Sequence, residues 1–152
     1  MTGGPTTIAF TIHGRPVGKG RPVFSTRGGF PRAVTPAKTR LVESIIYAAA
    51  LAAVRATTGA EEPLGWDGPV VVEISFHFAI PPSWPKWRRE IAAAGMGHTS
   101  TPDLDNLAKA VLDGVGNLLW KNDSQVSAIS IRKAYTTGPE RTEAKIWRRA
   151  TP

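Results

Sequence analysis

Hydrophobic and polar positions alternate with period two in two stretches of the chain. Ile8, Phe10 and Ile12 alternate with Ala9, Thr11 and His13, which predicts a half-buried strand. Val70, Val72, Ile74, Phe76, Phe78 and Ile80 alternate with Val71, Glu73, Ser75, His77 and Ala79, a longer strand ended by Pro81-Pro82. Between them the period becomes helical. Thr35 as N-cap and Pro36 at the first helical position open a helix that runs to about Arg55, with Leu41, Ile45, Ala48, Ala49 and Ala52 on one face. A second long helix spans about Thr101 to Leu118, its apolar stripe formed by Leu104, Leu107, Ala108, Val111, Leu112, Val115 and Leu118. A short helix is expected near Lys86 to Ala94, a strand over Val126 to Tyr135, and a last short one over Ala144 to Arg148. Gly14 to Pro22 and Gly59 to Pro69 read as loops. The order β-α-β-α-β-β predicts an α+β fold, a mixed sheet packed against two main helices. With no repeat and no linker, residues 1–152 form one domain.

Composition narrows the function. There is no cysteine, which excludes disulfides and thiolate metal sites. The longest apolar stretch, Ile45 to Val54, is too short to span a bilayer, and the N-terminus lacks the pattern of a secretory signal. A cytoplasmic protein without membrane attachment is expected. The net charge of +7 is uneven: residues 1–42 hold seven Lys or Arg and no acid, and residues 124–152 hold six bases against two acids. Such ends suit a polyanion, with plain solubility charge as the alternative.

Residues 101–123 reverse the balance, with four Asp and two Lys. On the polar face of the second helix, Asp105, Lys109 and Asp113 follow at four-residue spacing, so they stack along one line. Asp103 lies two residues before Asp105, and inside a helix the two would point apart. Were Asp103 extended, ahead of the first turn, both carboxylates would converge. Asp123 sits in a turn before the next strand; if that strand returns beside the helix start, three carboxylates meet. A hard divalent cation such as Mg²⁺ would relieve their repulsion. The other reading is that Asp103 and Asp105 merely favour a helix N-terminus, with Lys109 an ordinary partner of Asp105. His13, His77 and His98 have no ligand spacing, so zinc is not expected.

Gly14-Arg15-Pro16-Val17-Gly18-Lys19-Gly20-Arg21-Pro22 lacks the spacing of a nucleotide-binding phosphate loop, so no nucleotide cofactor is expected. Arg15, Lys19 and Arg21 suit a DNA backbone, and Arg27 and Lys38 extend that basic set. Ser83-Trp84-Pro85-Lys86-Trp87-Arg88-Arg89 interleaves aromatic and basic side chains. Lys86, Arg88 and Arg89 are candidate DNA contacts, and Trp84 and Trp87 suit either base stacking or an interface. Trp120 is expected in the core beneath the Asp123 turn, and His77 is given no role.

Residues 101–126, TPDLDNLAKAVLDGVGNLLWKNDSQV, resemble the signature of the RusA family of Holliday junction resolvases, a D-x-D-N-x-x-K helix followed by a W-x-[acid or Asn]-D-x-Q-V turn. The G-x-P-x-x-K-x-R-P segment at Gly14 to Pro22 and the T-P-x-K helix start at Thr35 to Lys38 extend the resemblance over most of the chain. It implies a homodimeric, Mg²⁺-dependent endonuclease of RusA-like fold, with Mn²⁺ as a substitute, that nicks four-way DNA junctions in recombination and repair. The family's essential aspartates fall on Asp103, Asp105 and Asp123, and its functional lysine on Lys109. Asn122 replaces an Asp found in many members, and His98-Thr99-Ser100-Thr101 replaces a basic residue before the D-x-D. A nuclease for other branched DNA and a non-catalytic DNA-binding relative are the alternatives.

Overall fold

The computed structural model describes residues 6–20, 23–34 and 36–149. Among these residues six strands and three helices follow in the order β1 (Thr7–His13), β2 (Val23–Ser25), β3 (Arg32–Val34), α1 (Ala37–Thr58), β4 (Val70–Ala79), α2 (Lys86–Ala93), α3 (Leu104–Val115), β5 (Val126–Thr136) and β6 (Arg141–Arg148). Four of the strands make one mixed sheet in the order β1-β6-β4-β5, antiparallel except for the parallel β4–β5 pair. The α+β expectation holds. The alternation read from sequence sets the layers. Val70, Val72, Ile74, Phe76 and Phe78 are buried on one face of β4 beneath the helices, joined by Ile8, Ala144 and Ile146. The other face carries Glu73, Ser75, Glu143 and Lys145 and lines an open polar groove.

Three differences from the sequence reading have physical causes. β2 and β3 form a separate hairpin, whose turn uses Gly28 and Gly29 at positive φ. Strands of three residues are too short to show a period. β6 is eight residues long and central in the sheet, because its polar alternate residues face the open side.

The third difference concerns α1. Pro36 is its N-cap, not its first helical residue, and Thr35 lies outside the described residues. The face turned to the core is built on Thr39, Ile46, Ala50 and Val54. Of the face expected to be buried, Leu41, Ile45, Ala48 and Ala52 are exposed, Leu41 by 62% and Ile45 by 47%. Alanine and isoleucine occur all round this helix, so its apolar period does not choose a side.

Helices α1 and α3 meet at Gly114, where a Cβ would stand 2.7 Å from Ile46 Cβ. That approach lets both helices lie against the sheet. Helix α3 buries Leu107, Ala108, Ala110, Val111 and Val115, close to its predicted stripe.

Candidate nuclease site

Asp103 is the N-cap of α3, with φ −67° and ψ 144°. It is therefore extended ahead of the first turn, the geometry that allows its carboxylate to lie near that of Asp105. The two relate differently to the helix end. Asp105 occupies the first turn and gains from the helix dipole, whereas the Asp103 side chain accepts no helix N–H. Both residues are exposed.

An open groove of about 500 Å³ runs beside Asp103, lined by Arg15, Lys19, Lys38, Thr39, Pro102 and Asn106. The loop before β2 reaches it through backbone contacts. Lys19 N–H donates to the Asn106 carbonyl at 3.1 Å, and Gly20 N–H to Thr39 Oγ1 at 2.9 Å. Gly18 is required for this approach, since a Cβ there would lie 3.2 Å from Pro102 Cβ and 3.4 Å from Asn106 Cβ.

The basic side chains assigned to DNA differ in how they are placed. Lys38 is exposed on the groove wall. Arg15 is exposed, pairs with Glu140 at 3.1 Å and lies over the Phe78 ring. Lys19 is turned inward: its ammonium pairs with Asp113 and lies 3.7 Å from Glu43. Its pKa is raised, chiefly by the Asp113 hydrogen bond. Lys19 thus ties the loop to both helices and does not point to solvent. Lys109 lies 3.7 Å from Asp113, so its partner is Asp113 and not Asp105. Arg27 is exposed on the β2–β3 turn, and Arg21 lies outside the described residues.

Lys86, Arg88 and Arg89 belong to α2. Lys86 stands 3.9 Å from Glu90, and the Arg88 guanidinium stacks on Trp84 at 3.6 Å. Arg89 Nε donates to the Trp84 carbonyl at 3.1 Å. Trp84 packs edge-on against Tyr135, which adjoins His98 and, through it, Phe78. Trp84 is therefore a packing residue, while Trp87 is 63% exposed. Burial, then the charge of Lys133, holds the His98 imidazole below its ordinary pKa.

Asp123 opens a single 3₁₀ turn, Asp123–Gln125. Asn122 caps it: its Oδ1 accepts the Ser124 N–H at 3.0 Å, while Gln125 Oε1 accepts the N–H groups of Lys121 and Asn122. Gln125 Nε2 donates to the carbonyls of Trp66 and Gly68, anchoring the turn to the start of β4. Asn at 122 thus serves as a cap, a role Asp fills equally well. The fully buried Trp120 donates Nε1–H to Asp123 Oδ1 at 3.1 Å, as its expected place in the core requires.

The three aspartates do not meet within one chain. Helix α3, 12 residues long, separates Asp103 from the connection to Asp123 by about 18 Å of axis. The end of β5 that faces the start of α3 is its C-terminal half, where Lys133 Nζ donates to the Pro102 carbonyl at 2.8 Å. Asp123 lies beyond the other end, and Val126 to Lys133 alone spans about 23 Å. Among the described residues no three His, Asp or Glu side chains are grouped so as to hold a metal. β5 does return beside the start of α3, as the sequence reading required, but it does so with its C-terminal half and leaves Asp123 at the far end.

The α+β domain thus carries an exposed aspartate, Asp103, on a groove lined by Arg15, Lys19 and Lys38, with Asp105 exposed in the adjoining turn of α3. Residues 13–147 match the family model for endodeoxyribonuclease RusA, and the chain belongs to that family of DNA-binding nucleases. It is also 34% identical over 135 residues to "Uncharacterized protein YqaN" of Bacillus subtilis (strain 168), covering 87% of this chain and 90% of that protein.

Proposed function

We propose that the protein is a Mg²⁺-dependent endonuclease that resolves four-way DNA junctions as a homodimer, acting in recombination and repair in the cytoplasm. The observation that carries this reading is the groove that sets Asp103 beside Lys38 and Arg15. A phosphodiester lying in the groove would meet Arg15, Lys38 and the Asp103 carboxylate.

The donor set suits a hard cation: Asp103 and Asp105 offer only oxygen, and neither carboxylate is engaged in an ion pair among the described residues. Asp123, remote in its own chain, would complete the site from a second copy. Mg²⁺ held there would acidify a water and neutralise charge developing on the phosphate, and Mn²⁺ meets the same oxygen donors. Lys109, steered by Asp113, would add positive charge one helical turn away. Arg15 and Lys38 would orient the backbone, and Trp120 would hold Asp123 through its Nε1–H.

The exposed side chains of α1 supply a surface for that second copy. Leu41, Ile45, Ala48 and Ala52 fall at i, i+4, i+7 and i+11, a narrow apolar seam suited to pairing with the same helix of a partner. Two sites related by a dyad would place one nick in each of two strands.

The test is incubation of the purified protein with a synthetic four-way junction, a flap and a linear duplex, with Mg²⁺ or with chelator. Paired nicks in the junction that need metal support the reading. Cutting of the flap alone would make this a nuclease for other branched DNA, and junction binding without cleavage would make it a non-catalytic relative.

A further inference from the structure

We infer that Lys133 is a positioning residue that fixes Asp103 for the cation, an inference resting on the metal-site reading of Asp103 and Asp105. The parallel register pairs Lys133 with Phe76, and pairs Ile131 and Tyr135 with Ile74 and Phe78. Lys133 therefore shares the core face of the sheet with side chains that are buried. A charge on that face needs compensation. It finds two acceptors, since the Lys133 ammonium donates to the carbonyl of Ser100 and, at 2.8 Å, to that of Pro102.

Those carbonyls belong to the residues that lead into Asp103. The chain just before them is docked on the same stretch of β5 by backbone bonds: His98 N–H donates to the Lys133 carbonyl at 3.1 Å, and Tyr135 N–H to the Met96 carbonyl at 3.3 Å. Met96 to His98 is thus held like an added strand, and Lys133 extends the hold four residues beyond it. On the other side, Lys19 N–H is bound to Asn106. Asp103 lies between these two anchors. The residue has extended φ and ψ and no cap bond of its own, so the backbone on either side decides where its carboxylate points. Lys133 consequently sets cation affinity without touching the cation. Groups that orient metal ligands in this way change affinity by about 10- to 100-fold when removed.

The experiment compares full-length protein with Lys133→Met and Lys133→Arg. Three quantities are measured: Mn²⁺ binding by electron paramagnetic resonance, amide hydrogen exchange over residues 99–106, and junction binding in Ca²⁺. Lys133→Met is expected to weaken Mn²⁺ about tenfold and to speed exchange in 99–106 while leaving 126–131 and junction affinity unchanged. Lys133→Arg, which can still donate to both carbonyls, should restore most of the affinity. Should Lys133→Met not fold, Lys133→Gln carries the same comparison with one amide donor group. Unchanged Mn²⁺ affinity or unchanged exchange would overturn the inference. So would a loss confined to junction binding, which would make Lys133 a phosphate contact. Wild-type protein that binds no Mn²⁺ defeats the metal-site reading itself, an outcome distinct from a variant that matches a responsive wild type.

Discussion

Gly114→Ala is expected to destabilise the protein, although the same change at an exposed helical position stabilises. Alanine is favoured over glycine inside a helix by about 1 kcal/mol. In α3, however, the added methyl would stand 2.7 Å from both Cβ and Cγ2 of Ile46 and 3.1 Å from its Cδ1. Ile46 is buried, and its Cβ cannot rotate away, so the helices must separate by a large part of an ångström. Overpacking of this kind costs about 1–3 kcal/mol. A 2.7 Å contact with a branched Cβ puts the cost in the upper part of that range, about 2–3 kcal/mol, so after the helix gain the net loss is about 1–2 kcal/mol. For a domain of this size each kcal/mol lowers Tm by about 2–4 °C. Urea unfolding followed by tryptophan fluorescence gives the free energy, and scanning calorimetry gives Tm. Stability equal to or above that of the wild type would show that α1 and α3 do not approach as closely as Gly114 indicates. Because Asp113 precedes this contact and holds Lys19 and Lys109, a displaced α3 should also loosen the loop beside Asp103.

Lys19→Met should leave Asp113 without its closest cation and detach the loop from α3. Faster exchange at Gly18 to Gly20, with a stability loss of about 1 kcal/mol for this partly exposed pair, would be read by exchange and urea melts. Burial lowers the His98 pKa from 6.5, so the unfolded chain binds more protons just below that value. Stability therefore rises with pH through this window and falls on acidification, a slope that His98→Phe should reduce in pH-dependent melts; a residual slope from His77, also depressed by burial, should persist. Replacing Leu41 and Ile45 together by Asp should yield a folded monomer with little junction cleavage, visible by sedimentation. Asp123→Asn should abolish nicking while sparing junction binding and fold, measured by gel shift and melting. Loss of binding or fold would make Asp123 structural.

The chemistry of α3 was legible because its signals are local. A strong apolar stripe fixes which face is buried, and Pro102 before Asp103 places that residue outside the helix. The W-x-N-D-x-Q-V turn was equally readable, and its bonds explain why: Asn122 and Gln125 complete a capping box, and Trp120 meets Asp123 three residues away. Long-range facts were hidden. No spacing reveals that β5 runs away from Asp123 toward Asp103, so the meeting of three carboxylates was expected in a chain that keeps them apart. The buried face of α1 differs from the sequence expectation because alanines and isoleucines surround the helix; exposure of Leu41 and Ile45 is set by the tertiary packing. Lys19, expected on a DNA backbone, is paired with Asp113 across 94 residues. Lys133 did leave a trace. It is the one charge in the series Ile129, Ile131, Lys133, Tyr135, where the period calls for an apolar side chain.

In the proposed enzyme each cutting site takes Asp103 and Asp105 from one chain and Asp123 from another. Protein carrying Asp103→Asn and protein carrying Asp123→Asn should each be inactive alone. Mixed and allowed to exchange subunits, they form heterodimers in which one site has all three aspartates and the other lacks two. Mixing is expected to restore Mg²⁺-dependent nicking of a four-way junction in one strand per complex. If the mixture stays inactive while mass spectrometry shows heterodimers present, no site is shared between chains as proposed.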